Sequence, residues 1–113
     1  MNILLWKNNI KEAVKDIADK NFQEEAWFGK GDYISSPDEV YCTLFDDFIF
    51  EDFLENDEAG LTDTQKRLGY KLISALESYS PKGQSLPEPG QMINDPEWSK
   101  VRNFAQEFFK SLE

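Results

Sequence analysis

Carboxylates are the side chains in this sequence best suited to chemistry, and several of them are adjacent. Asp46-Asp47 and Glu51-Asp52 would each supply the two carboxylates that general acid–base catalysis uses. Acids are so frequent in this part of the chain, however, that adjacent pairs arise by chance, and no pattern around them indicates a pocket. We therefore expect that the protein is not an enzyme.

Metal binding is a second kind of chemistry that the acids suggest. The stretch 55–60 is similar to the start of a calcium loop, with acids at alternate positions and Gly60 at the sixth. The pattern then fails, because the fifth position is Ala59 and the twelfth, where a bidentate Glu is needed, is Lys66. The chain also contains no histidine. We expect neither a metal site nor a cofactor.

The single cysteine and the glycines add no further chemistry. Cys42 lies among acids, which disfavour the reactive thiolate form, so we predict a buried residue of no special reactivity. One cysteine cannot form an internal disulfide, and there is neither a CxxC pair nor a phosphate-binding glycine loop.

The acids are concentrated in one segment, residues 31–65, which we call the acidic segment. It contains no Lys or Arg, whereas the rest of the chain is nearly neutral, so it carries essentially the whole net charge of −10. Its eleven acids are Asp32, Asp38, Glu39, Asp46, Asp47, Glu51, Asp52, Glu55, Asp57, Glu58 and Asp63. Repulsion among like charges destabilises such a segment by a few kcal/mol, out of a net stability of about 5–15 kcal/mol for a domain.

A basic protein partner would compensate for this repulsion, although acidic helices also serve simply to keep a protein soluble. Acid density predicts a partner-binding surface composed of Asp38, Glu39, Asp46, Asp47, Phe50, Glu51, Asp52, Glu55, Asp57 and Glu58. Phe50 is the uncertain member. In a regular helix it lies on the acidic side as an aromatic anchor, but a bend after Ile49 would instead bury Phe50 and Phe53.

Apolar residues at three- and four-residue spacing predict an all-α protein, a single-domain bundle (1–113) of about four amphipathic helices. The expected helices cover roughly residues 7–20, 36–55, 62–79 and 95–113. Cap residues mark the starts of the last three: Ser36-Pro37, the capping box of Thr62 with Gln65, and Asp95-Pro96. Residues 2–6 and 48–54 have a more strand-like composition.

The connection between the last two helices, residues 80–95, carries three prolines and two glycines. Loops of this length inside a domain are often functional. The alternative is a surface crossover that Leu86, Met92 and Ile93 fix to the core, and the segment remains a second candidate for the interface.

Composition also bears on location and on other classes of partner. A net charge of −10 disfavours binding to nucleic acid and to anionic membranes. The short apolar run at residues 3–6 does not match a secretory signal, and no run approaches the ~20 residues of a membrane span. We expect a cytoplasmic protein whose oligomeric state the sequence does not indicate.

The segment from Ser35 to Phe48, its acidic and aromatic continuation through Phe53, and the closing Asp95-Pro96-Glu97-Trp98 resemble the immunity proteins of bacterial contact-dependent growth inhibition and related polymorphic toxin systems. The resemblance implies tight binding to a cognate basic toxin domain, such as an RNase or DNase, inside the producing cell. It assigns no role to individual residues. An acidic regulatory or adaptor protein is the main alternative, and a nucleic-acid mimic fits less well because the remainder of the chain is nearly neutral.

Overall fold

The computed structural model of the protein describes residues 2–31, 34–80 and 85–113. Within these ranges every regular element is a helix and none is a strand, which confirms the predicted all-α class. The elements are, in chain order, α1 (Ile3–Ala18), α2 (Lys20–Trp27), α3 (Pro37–Tyr41), a π-helix (Cys42–Asp47), α4 (Phe50–Glu55), a 3-10 helix (Asp57–Ala59), α5 (Asp63–Tyr79), α6 (Pro89–Met92) and α7 (Pro96–Ser111). The helices outnumber the four expected because the predicted helix 36–55 is broken into three, and because α2, the 3-10 helix and α6 form almost entirely outside the four predicted ranges.

The predicted start signals act as expected. The Ser36 hydroxyl accepts from the Glu39 N–H, and the Asp95 carboxylate accepts from the Glu97 N–H at 2.9 Å. Thr62 and Gln65 form the complete capping box at the start of α5. Each cap satisfies backbone N–H groups that the first turn of a helix leaves without a partner.

The N-terminal region differs from its prediction. Residues 3–6 are helical, because the Asn2 side chain accepts from the N–H groups of Leu4 and Leu5 and so starts α1. The helix then ends at Ala18, where Asp19 leaves the helical conformation and caps α2 by accepting from the Phe22 N–H. Strand-like composition is a weaker signal than a cap at the position where the chain turns.

The core is arranged around α7, which packs against both α1 and α5. Trp98 and Phe108 of α7 are fully buried, and the Phe108 ring meets that of Phe50 edge-on at 5.3 Å between centroids. Gly69 on α5 allows close packing of the side chains around it. A Cβ atom at this position would lie 2.6 Å from Leu54 Cδ2 and 3.2 Å from Phe108 Cε1, so a larger residue would require these two side chains to move.

The predicted helix 36–55 is broken into three parts, α3, the π-helix and α4. Ile49 separates the π-helix from α4 in the left-handed backbone conformation (φ 47°). A β-branched residue rarely adopts this conformation, because its Cβ approaches the following carbonyl oxygen. The break redirects the chain, so the apolar face counted at regular helical spacing does not continue past Phe48. Regular helical spacing would place Ile49 on the same apolar face as Phe45 and Phe48, but Ile49 is 43% exposed.

The described part of the 80–95 connection is held against the core. Met92 and Ile93 are buried and Leu86 is half-buried, as the surface-crossover alternative requires. Pro89–Met92 forms the short helix α6. Residues 81–84 lie outside the described residues.

In the described part of the chain, no helix is both long enough and apolar enough to cross a membrane.

Candidate protein-binding surface

The acids predicted to contact a partner are all exposed, and they extend from α3 to the 3-10 helix. Ion pairs among the described residues join Lys20 to Glu24 and Lys100 to Glu97, and neither pair involves the acidic segment. Glu55 is bound within the protein, since it accepts a hydrogen bond from the Tyr70 hydroxyl on α5. The pKa of the Tyr70 hydroxyl is raised to about 12, and this hydrogen bond is the largest cause.

Most of these acids have a structural explanation in their position within a helix. The partial positive charge at a helix N-terminus stabilises carboxylates there by about 0.3–1 kcal/mol each. Acids occupy the first turn of α3, of α4 and of the 3-10 helix; they are Asp38, Glu39, Glu51, Asp52, Asp57 and Glu58. Their exposure is therefore no evidence, taken alone, for a partner.

Asp46 and Asp47 are the exceptions. They are the last two residues of the π-helix, where the terminal carbonyl groups create a partial negative charge that disfavours a carboxylate. Both are exposed, and neither forms an ion pair within the described residues. π-helical turns also occur frequently at functional sites. These two acids are the strongest candidates for contact with a basic partner.

Phe50 does not belong to this surface, so its prediction as a partner anchor is wrong. It is fully buried, in contact with Phe108, as is Phe53. The left-handed residue at position 49 turns α4 towards the core, which is the alternative that the sequence left open. Regular helical spacing placed Phe50 beside the acids, but that spacing does not hold through a π-helix and a left-handed residue.

The exposed apolar side chains on this side of the molecule belong instead to residues that the predicted partner-binding surface did not include. A groove of about 260 Å³ lies between the start of α1 and the end of the π-helix. Leu5 is 57% exposed and Ile49 is 43% exposed, and both line the groove. The other lining residues are Asn2, Trp6, Asn9, Asp47 and Phe48.

Trp6 fixes the geometry of this groove. Its indole N–H donates to the Phe48 carbonyl oxygen at 2.6 Å, which satisfies a carbonyl at the end of the π-helix. Its ring also meets that of Phe53 edge-on, with centroids 5.4 Å apart. Sequence reasoning missed the groove because residues 2–6 were expected to be strand-like. The pair of exposed leucines at the start of an amphipathic helix was the signal that would have indicated it.

A buried polar network is the second feature that sequence reasoning missed. Gln23 on α2 is fully buried and donates to the carbonyl oxygens of Asp16 and Ile17 at 3.0 and 2.7 Å. Its side-chain oxygen accepts from Trp98 Nε1 and Arg102 Nε at 3.0 and 2.9 Å. Burial lowers the pKa of Arg102. The network joins α1, α2 and α7, so its evident role is structural.

A small depression at the border between α1 and the acidic segment contains Asp16 and Glu39. Partial burial, with a smaller contribution from Glu12, raises the pKa of Asp16 to about 6. Asp19 raises it further, whereas Lys15 lowers it. With a volume of about 70 Å³, the depression is far smaller than the ~300–1,000 Å³ of typical ligand pockets.

Cys42 is exposed at the start of the π-helix, so the prediction of a buried residue is wrong. The apolar side of the predicted helix does not include it, because Tyr41 and Leu44 face the core instead. Among residues 2–31, 34–80 and 85–113, no group of three or more His, Cys, Asp or Glu side chains is arranged to hold a metal ion.

Comparison of the chain with protein-family models, with curated protein sequences and with solved structures gave no significant match. The resemblance to immunity proteins therefore depends on the sequence features described above.

Proposed function

We propose that this protein is an immunity protein, which binds and neutralises a basic toxin domain, a nuclease, in the cytoplasm of the producing cell. Asp46 and Asp47 are the observation that carries the proposal. Their charges are unfavourable for the free protein, because they add to the helix-terminal charge and to each other. Lys or Arg side chains of a partner would make the same charges favourable.

The chemistry of the expected partner fits this surface. A nuclease holds its substrate with Lys and Arg, so its active-site groove attracts an acidic helix. Opposite charges also accelerate association, towards 10⁸–10⁹ M⁻¹s⁻¹ at low salt in the fastest cases. The groove combines the exposed apolar side chains of Leu5 and Ile49 with the carboxylate of Asp47, which matches the apolar centre and charged rim of a protein interface.

The test is association with the toxin-domain product of the gene directly upstream, measured by stopped-flow kinetics across ionic strength. We expect the double variant Asp46→Asn/Asp47→Asn to associate on the order of tenfold more slowly at low salt, with a flatter salt dependence. The matched control is Glu77→Gln/Glu107→Gln, which removes two exposed charges from α5 and α7. The control should associate almost as fast as the unchanged protein.

The outcomes separate the competing functions. Equal slowing in both double variants would show that net charge alone steers association and that Asp46 and Asp47 are not a specific contact. Absence of binding to the toxin domain would reject the immunity function and favour the acidic regulatory or adaptor protein. A nucleic-acid mimic remains the weaker candidate, because it requires acids over the whole surface and the chain outside the acidic segment is nearly neutral.

A further inference from the structure

The groove beside Asp47 has the composition of an anchor site. Leu5 and Ile49 have fully apolar side chains, yet about half of the surface of each is exposed to water. The volume of about 260 Å³ lies below the range of typical small-molecule pockets, which suits one or two side chains of a partner protein better than a free ligand.

Ile49 strengthens this interpretation. Glycine or asparagine would adopt its left-handed conformation at lower cost, whereas isoleucine is strained there. Residues held in such conformations concentrate at binding sites and switches. The strained backbone directs an aliphatic side chain to the surface between the π-helix and the start of α1.

We propose that this groove, lined by Leu5, Ile49 and Asp47, anchors an apolar side chain that the partner protein presents between Lys or Arg residues. Charge identifies the occupant. Asp47 lines the groove and Asp46 precedes it in the chain, so a bound segment gains an apolar contact and an ion pair together. A second copy of this chain is a poor occupant, because each copy carries a net charge of −10 and the same acids would face each other.

This anchor site rests on the proposed function, and it gives the charged and the apolar parts of the interface different kinetic roles. Exposed rim charges act mainly on the association rate, whereas a desolvated apolar anchor acts mainly on dissociation. We therefore expect Asp46 and Asp47 to set how fast the partner arrives, and Leu5 and Ile49 to set how long it stays.

A peptide probe tests the groove without the toxin. One peptide carries a central Leu flanked by Lys residues, and its analogue carries Ser in place of Leu. In ¹H–¹⁵N NMR titrations of the full chain, the Leu peptide should shift the indole signal of Trp6 and leave the buried Trp27 and Trp98 signals in place. It should also bind at least about fivefold more tightly than the Ser peptide, because a buried Leu side chain gains transfer free energy.

Matched variants locate the effect. Leu5→Gln/Ile49→Asn should abolish the preference for Leu over Ser, while Leu4→Gln, whose side chain is 75% exposed outside the groove, should retain it. Asp46→Asn/Asp47→Asn should weaken both peptides equally. A thermal melt of each variant confirms that the fold is intact.

The results distinguish this proposal from the proposed function. Equal affinity for the two peptides, or an unmoved Trp6 signal, would overturn the anchor site even if the toxin domain binds to the acids. Retained Leu preference without toxin binding would support the groove and reject the immunity function. Concentration-dependent shifts of the Trp6 signal without peptide would show that the occupant is a second copy and would also overturn the proposal.

Discussion

Polar groups have favourable partners in one region of the molecule and unfavourable surroundings in the other. The first region is the helical body, formed by α1, α2, α5 and α7, and the second is the acidic segment. In the body, the buried amide of Gln23 forms hydrogen bonds to two carbonyl groups and accepts from two side chains. The exception in its described residues is the buried Trp27 indole N–H, which has no partner. In the acidic segment, Asp46 and Asp47 lie where both the helix terminus and each other oppose their charge.

Backbone geometry follows the same division. The body consists of regular helices with side-chain caps at their starts, whereas the acidic segment contains a π-helix and a left-handed isoleucine. Natural sequences violate local rules mainly where function demands it. The difference supports the proposed function, because binding to a basic partner would explain why the sequence retains these unfavourable features.

The largest expected effect is a loss of stability when the buried polar network of the helical body is disrupted. Gln23→Met keeps the approximate size of the side chain but removes the four hydrogen bonds that Gln23 forms. It leaves the Arg102 Nε–H and the Trp98 indole N–H unpaired in the interior. Unpaired buried groups of this kind, one of them charged, predict a loss of about 3–5 kcal/mol in the free energy of unfolding.

Urea denaturation measures this loss, with Gln106→Met as the control at an exposed glutamine of α7. The control should change stability by less than about 0.5 kcal/mol. A loss of under 1 kcal/mol in Gln23→Met would mean that the network is dispensable and that the body is not the stabilising region.

Sequence reasoning predicted the helical body better than the segment that carries the candidate site. The caps at Thr62 and Asp95, which start α5 and α7, are local signals, since each acts within three residues of the chain. The burial of Phe50 is not local, because it depends on the left-handed conformation of Ile49 and on the packing of Phe108 against it. The exposure of the acids was predictable from their charge, whereas the groove between distant residues required the tertiary structure.

An effect of intermediate size is expected at Asp16, which lies at the border between the helical body and the acidic segment. The pKa of Asp16 is raised to about 6 because the side chain is half-buried and lies near Glu12 and Asp19. The folded protein therefore favours the protonated acid, so this group's stabilising contribution is present below about pH 4 and is lost as pH rises to about 6. Asp16→Asn removes the charge and should stabilise the protein by roughly 1 kcal/mol at pH 7, after allowance for solvent screening.

Chemical denaturation of Asp16→Asn and of the unchanged protein from pH 4 to pH 7.5 provides the measurement. The difference between them should be close to zero at pH 4 and reach its full value above pH 6. Single replacement of Asp46 by Asn, in the acidic segment, is the exposed control. A difference for Asp16→Asn that does not vary with pH would show that burial of this carboxylate does not oppose folding.

The smallest expected effect is the most informative about the acidic segment. Asp46→Asn/Asp47→Asn should raise the free energy of unfolding of the free protein by a few tenths of a kcal/mol to about 1 kcal/mol, because it relieves repulsion at the end of the π-helix. The same change slows association if the proposed function is correct, so stability and binding should move in opposite directions. An acid that stabilises the fold would behave differently, since its removal would lower the free energy of unfolding.

Glu51→Gln/Asp52→Asn supplies that contrast, because these acids occupy the first turn of α4, where the helix terminus stabilises them. Thermal melts of the two double variants at low salt should therefore show a small increase for the first and a small decrease for the second. Loss of stability in both would mean that the acids of this segment serve the fold, and the reason for placing Asp46 and Asp47 in the interface would disappear.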